Sequence, residues 1–164
     1  MYIINMTTVQ NKSNVKSQPK SSVLLDHQLC FALYAASHKM TKIYQPILKR
    51  LGLTYPQYIV LLVLWEKSNL SVSDLGQRLE LDSGTLTPLL KRMETVGLIA
   101  RTRSLNDQRQ VWITLKPAGL ALKKKAASVQ DQVICATQCS VDELASLTKN
   151  LTDLRHALSK GVSK

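Results

Sequence analysis

The chain has 164 residues, 45% of them hydrophobic; that is enough to bury a substantial core in one domain and too much for wholesale disorder. Its 22 basic residues against 11 acidic ones leave a formal charge of +11, which points to polyanionic partners, nucleic acid or an anionic membrane surface. No run approaches the roughly 18 apolar residues of a spanning helix. The start, MYIINMTTVQNK, lacks a basic segment leading into an apolar one, so neither a membrane span nor secretion is expected, and the expected location is cytoplasmic.

Residues 1–21 are polar, carry Lys12, Lys16 and Lys20, and show no hydrophobic period; they are expected to form a disordered basic arm. Asp26 is placed to cap a first helix running to about Arg50, with Leu29, Leu33, Ala36, Met40, Ile43 and Ile47 at helical spacing. Pro46 predicts a kink in it. Leu53-Thr54-Tyr55-Pro56 restarts the chain, and the strongly apolar stretch Gln57–Lys67 predicts a central, buried helix. Ser71 or Ser73 opens a short helix through Leu79, Leu81-Asp82 turns, and a further helix reaches Val96 with Gly97 closing it. Two short helices about a tight turn, residues 71–97, make a helix-turn-helix. Pro88 conflicts with that scheme: either the second helix starts later than Asp82 or it bends.

Residues 98–103 and 110–115 alternate like strands around Ser104-Leu105-Asn106-Asp107, so a two-stranded hairpin, or wing, spans about 98–115. Pro117 opens a long helix to about Thr137, and Ser140 with Glu143 forms a capping box for a last helix. That helix carries Leu144, Leu147, Leu151, Leu154 and Leu158 as a narrow seam suited to a second subunit. The fold class is therefore mainly α with a small hairpin: a winged helix-turn-helix with terminal helices, about 24–50 and 117–160, for dimerisation.

The basic residues follow this plan. Lys91 and Arg92 lie on the second helix of the helix-turn-helix, and Arg101, Arg103 and Arg109 frame the hairpin. With the helix in a major groove and the wing against a minor groove, these stand near phosphates. Ser83, Thr85 and Thr87 reach base edges or phosphates, and Arg109 enters the narrow groove, oriented by Asp107. The bland alternative, solvated faces and a soluble sheet edge, leaves the combined order and charge unexplained.

Three cysteines, Cys30, Cys135 and Cys139, are an odd number and make no structural disulfide framework. Cys135 and Cys139 are spaced C-x3-C, with only His27, His38 and His156 to complete a zinc site, so neither a metal nor another cofactor is expected. Taken by itself, Cys30 could be packing material, ligand, nucleophile or sensor. An Asp26 cap would put it in the second turn of a helix, where the N-terminus favours a thiolate. Phe31, Leu33, Tyr34 and Trp65 are then either plain core or an apolar mouth beside the thiol.

LDHQLCFALYAA, LTYPQYIVLLVLWE, LDSGTLTPLLKRME, NDQRQVWITL and QVICATQCSVDEL resemble the MarR family of winged helix-turn-helix regulators, and within it the organic hydroperoxide-sensing OhrR type, over about residues 24–158. The resemblance implies a peroxidatic role for Cys30 and a resolving role for Cys135. It implies that Tyr44 and Tyr55 of a partner subunit hydrogen-bond the Cys30 sulfur, and that the terminal helices build a homodimer. Cys139 matches an additional cysteine of some relatives without a firm role. The expected function is a repressor, not an enzyme, that holds a palindromic double-stranded DNA operator when reduced. Organic hydroperoxide releases it through an intersubunit disulfide. The alternative is a ligand-gated repressor of the same fold, released by a small amphipathic or phenolic compound; a thiol peroxidase and a sequence-indifferent DNA binder rank behind both.

Overall fold

A computed structural model of the chain describes residues 23–105 and 107–162. The basic arm of residues 1–21 and Asn106 of the hairpin turn lie outside them. The chain divides into two compact units that meet between Ala36 and Ser37.

In the first unit, Leu25–His27 form a single 3-10 turn. It is closed by the His27 N–H donating to Leu24 O at 3.1 Å and the Gln28 N–H to Leu25 O at 3.0 Å. Helix α1 (Leu29–Lys49) begins only after that turn. Asp26 is therefore inside the 3-10 turn and does not cap α1, contrary to the expected N-cap; the first helical bond runs from Ala32 N–H to Gln28 O. The tight i→i+3 pattern consumed the residues that would otherwise have wound the first α turn. Cys30 consequently sits in the first turn of α1, one turn earlier than expected.

The second unit is organised around α2 (Tyr55–Glu66), apolar on every side, with Tyr58, Val60, Leu61, Val63 and Leu64 buried. Gln57 fixes its start by accepting the Thr54 N–H at 2.8 Å. The last turns of α1 contribute Ile47 and Leu48 to the same core, and α1 continues through Pro46 as one helix. Short α3 (Val72–Leu79) and α4 (Ser83–Thr95) follow as the helix-turn-helix. Strands β2 (Ile99–Arg103) and β3 (Val111–Leu115) pair antiparallel with Arg101 opposite Ile113. A two-residue strand that the sequence pattern does not reveal, β1 (Leu70–Ser71), adds to β3 and makes the sheet order β1-β3-β2.

The expected single helix from Pro117 to Thr137 is two, α5 (Pro117–Ala126) and α6 (Val129–Thr137). At the break the Ala127 N–H turns to Lys124 O at 3.4 Å, a tighter bond than the α pattern, and Ser128 starts α6. Its carbonyl and hydroxyl oxygens both accept from the Gln132 amide, at 3.2 and 3.0 Å. Ala126, Val129 and Val133, at helical spacing across the break, are all buried. The last helix, α7 (Val141–Val162), starts on the expected box. Glu143 Oε2 accepts the Ser140 N–H at 2.8 Å, and Ser140 Oγ accepts the Glu143 N–H at 3.2 Å. Its leucine seam is largely uncovered in the single chain: Leu147, Leu151 and Leu158 are exposed, and Leu144 and Leu154 are half-buried.

Candidate nucleic-acid interface and redox cysteines

The helix-turn-helix is built from its caps. Ser71 Oγ accepts the Asp74 N–H at 3.0 Å and donates to Asp74 Oδ2 at 2.8 Å, which starts α3. Glu80 adopts the left-handed conformation, φ 53°, to end it, and the Leu81 N–H folds back onto Gly76 O at 3.0 Å. Only glycine fits at 76, where a Cβ would lie 2.9 Å from that Leu81 carbonyl oxygen. Asp82 then caps α4: Oδ1 accepts the Thr85 N–H at 2.9 Å and Oδ2 the Thr85 hydroxyl at 2.8 Å.

Helix α4 begins directly after Asp82, so the late-start resolution of the Pro88 conflict is not the one adopted. Pro88 lies inside a continuous helix and leaves Gly84 O without its usual donor. Leu86, Leu89, Leu90 and Met93 form the buried stripe. Ser83, Thr85, Lys91 and Arg92 are exposed, and Thr87 is half-buried at the edge of the stripe. Thr85 differs from expectation in one respect. Its hydroxyl proton is held by Asp82, leaving its oxygen as an acceptor.

The two hydrogen bonds from Thr85 hold the Asp82 carboxyl below its ordinary value of 3.8. A group whose folded pKa is depressed stabilises fully above the unfolded value and loses that contribution as pH falls through the folded one. Asp82→Asn, which still caps, is therefore expected to lie below wild type in urea midpoint at neutral pH. The two should converge in acid, below the ordinary carboxylate range. A gap that stays constant across that titration rules out the charge as the source.

In the hairpin, Asp107 organises the chain itself. Its Oδ1 accepts the Arg109 N–H at 2.9 Å, its carbonyl accepts the Gln110 N–H at 2.9 Å, and its own N–H donates to Ser104 Oγ at 3.3 Å. The bond between Asp107 and Arg109 thus runs through the backbone, where the sequence had suggested a contact with the guanidinium. Arg103 and Arg109 are exposed. Arg101 instead turns inward towards Glu94.

A cavity of about 370 Å³ between the start of α3, α4 and the hairpin is lined by Ser73, Thr87, Arg101 and Arg109. Its neighbour of about 350 Å³ is lined by Gln77, Ser83 and Arg109. Arg109 borders both, so the structure brings Ser83, Thr87 and Arg109 together around one concave surface.

Cys30 is exposed in the first turn of α1. Cys135, in the last turn of α6, and Cys139, just beyond that helix, are exposed as well. The Cys139 thiol points at Thr137 O, 3.5 Å away. Tyr44 and Tyr55 pack together with ring centroids 5.0 Å apart. Tyr58, which the sequence reading did not single out, joins them at 6.1 Å from Tyr44 and continues to Trp65 at 6.4 Å. Its signal was present in LTYPQY, where Tyr58 follows Tyr55 at i+3.

Burial, reinforced by the neighbouring phenols Tyr55 and Tyr58, pushes the Tyr44 phenol above its ordinary value, so at neutral pH it remains an O–H donor. Tyr55 also borders an opening of about 560 Å³ with Leu53, Pro56, Gln45 and Lys49. Among the described residues, no group of three His, Cys, Asp or Glu is gathered to hold a metal ion, and no helix is long and apolar enough to cross a membrane.

A helix-turn-helix followed by a basic hairpin defines a winged-helix DNA-binding regulator. Residues 42–127 match the family model described as transcriptional regulator SarA/Rot. The organic hydroperoxide resistance transcriptional regulator of Bacillus subtilis is 48% identical over 82% of this chain and 91% of its own length. AbfR of Staphylococcus epidermidis has a similar structure. In reduced form bound to DNA it is 36% identical, with a TM-score of 0.67 over 82% of this chain and 93% of its own. In its disulfide-formed state it is 37% identical, with a TM-score of 0.57 over 79% and 91%. The chain belongs to the MarR family of winged helix-turn-helix transcriptional regulators, whose members act by binding DNA and not as enzymes.

Proposed function

We propose that the protein is a redox-sensing repressor, a homodimer that binds a palindromic DNA operator when reduced and releases it when organic hydroperoxide oxidises Cys30. The observation that carries this reading is an exposed thiol in the first turn of α1, in a chain 48% identical to an organic hydroperoxide resistance regulator. The family resemblance assigns Tyr44 and Tyr55 of a partner subunit as phenolic hydrogen-bond donors to the Cys30 sulfur.

In the first step the Cys30 thiolate attacks the terminal peroxide oxygen. The O–O bond breaks, the alkoxide takes a proton and leaves as the alcohol, and sulfur becomes sulfenic acid. In the second, the Cys135 thiol of the other subunit attacks that sulfur, the S–S bond forms, and water leaves. A disulfide needs Cα atoms about 4.4–6.8 Å apart; where the reduced dimer holds Cys30 and Cys135 further apart than that, closing the gap moves the elements that carry the wings. Added thiol restores both cysteines by exchange. On the DNA, Ser83, Thr85, Thr87, Lys91 and Arg92 work from the major groove, and Arg103, Asp107 and Arg109 from the hairpin.

The test is fluorescence anisotropy on the DNA upstream of the protein's own gene, with a non-reducing gel run in parallel. Cumene hydroperoxide is expected to abolish specific binding and to produce a covalent dimer that dithiothreitol reverses. Cys135→Ser should lose the covalent dimer and remain largely bound. Release by Cys135→Ser equal to wild type removes the disulfide from the mechanism. The opening beside Tyr55 supports the ligand-gated alternative, in which release by an amphipathic compound needs no cysteine.

A further inference from the structure

Glu94 lies in the last turn of α4, and its carboxylate crosses to the hairpin. Oε1 accepts the Arg101 backbone N–H at 3.1 Å, and Oε2 stands 3.7 Å from a guanidinium nitrogen of the same residue. Strand β2 is an edge of the sheet, so every second N–H along it lacks a strand partner; Glu94 takes the one belonging to Arg101. The arginine is drawn in, with its side chain only 20% exposed. By comparison, Arg78 and Glu66 are each 63% exposed, and Arg155 and Glu80 are 51% and 57% exposed. The Arg101 Nε is buried with no hydrogen-bond partner, which is costly, so packing and the Glu94 carboxylate must keep the guanidinium where it is.

We infer that Glu94 is a positioning residue for DNA binding, a carboxylate that clamps the hairpin to the helix it flanks. The covalent link between α4 and β2 is the turn at Gly97, φ 77°, held by the Gly97 N–H on Glu94 O at 2.9 Å and the Leu98 N–H on Met93 O at 3.0 Å. Those bonds fix only the root of β2; the Glu94 carboxylate adds a tie further along the strand, towards the hairpin tip. With it, the spacing between Ser83 and Thr87 on the helix and Arg109 on the hairpin is set before any DNA arrives. Preset spacing favours a duplex whose grooves match it and contributes nothing to indiscriminate phosphate attraction.

This inference rests on α4 and the hairpin being the DNA-reading elements, and not on any role of Cys30. Its signature opposes simple electrostatics, because removing an acid beside a polyanion should tighten binding. The experiment compares wild type, Glu94→Ala and Glu94→Gln under reducing conditions, each below its own melting temperature. The probes are a duplex selected by the wild-type protein from a random library and a shuffled duplex of the same composition.

Glu94→Ala is expected to bind the selected duplex roughly tenfold more weakly, the scale of one lost base contact, and the shuffled duplex equally or more tightly. Glu94→Gln, whose amide oxygen still accepts the Arg101 N–H, should recover most of the preference. Preference retained in full by both variants, or both duplexes weakened by one common factor, overturns the clamp. A wild-type protein that selects no duplex overturns instead the assignment of the reading elements, and the clamp with it.

Discussion

Operator binding by a Cys30→Ser variant is expected to survive cumene hydroperoxide unchanged, while wild type under the same treatment falls to its affinity for unrelated DNA. The gap between specific and indiscriminate binding in such proteins is roughly a thousandfold or more, so the effect should dominate any assay. Serine occupies nearly the same volume as cysteine, and its hydroxyl cannot be oxidised by a peroxide. Residue 30 is exposed in the single chain, so the exchange should move the stability of the fold by less than about 0.5 kcal/mol, and operator binding measured before the peroxide is added checks that the dimer is intact. The same variant separates the competing readings. Release of Cys30→Ser by the peroxide itself would place the sensor elsewhere, and release by an amphipathic compound would favour a ligand-gated repressor.

Gly119→Ala should produce the largest change in stability. A Cβ at that position would stand 2.2 Å from Leu98 O and 3.2 Å from a Leu115 methyl. Leu98 O is a backbone atom already accepting the Lys116 N–H at 3.0 Å, so it cannot swing aside as a side chain would. Gly119 also gives its carbonyl to Trp65 Nε1 at 3.0 Å, the bond that ties α5 to the central helix. Overpacking of this kind costs about 3 kcal/mol or more, a large share of the roughly 5–15 kcal/mol that holds a domain together. Gly161→Ala is the internal control. Nothing lies within 4 Å of a Cβ there, and the site is the penultimate residue of α7, so alanine should cost nothing. The urea midpoint of Gly119→Ala should therefore fall while that of Gly161→Ala does not, and a Gly119→Ala midpoint at the wild-type value would refute the close approach.

Features whose cause lies within a few neighbouring residues were legible in the sequence. Ser71 and Ser140 cap where their spacing to Asp74 and Glu143 says they should, and the helix-turn-helix and hairpin fall within a residue or two of expectation. Features decided by distant partners, or by two local patterns in competition, were not legible. Strand β1 is two residues long and exists because Leu70 and Ser71 meet Ile113 and Trp112. The start of α1 was misplaced because Asp26 satisfies a capping rule while the backbone closes a tighter turn through Leu24 and Leu25. The α5–α6 break falls where the Ala127 N–H turns to Lys124 O, in a stretch whose apolar spacing fits one continuous helix. At the candidate site, residue types were legible and partners were not. Arg101 looked like its neighbours Arg103 and Arg109 until Glu94 was seen to claim it.

The acids nearest the basic concave surface share one arrangement. Asp82, Asp107 and Glu94 each face a backbone amide: those of Thr85, Arg109 and Arg101. Each carboxylate is thereby committed to the scaffold, and the net charge of +11 leaves a long-range attraction for a polyanion that these three acids reduce but do not cancel. The capture rate can then remain high even though the scaffold that shapes the surface is built from negative side chains.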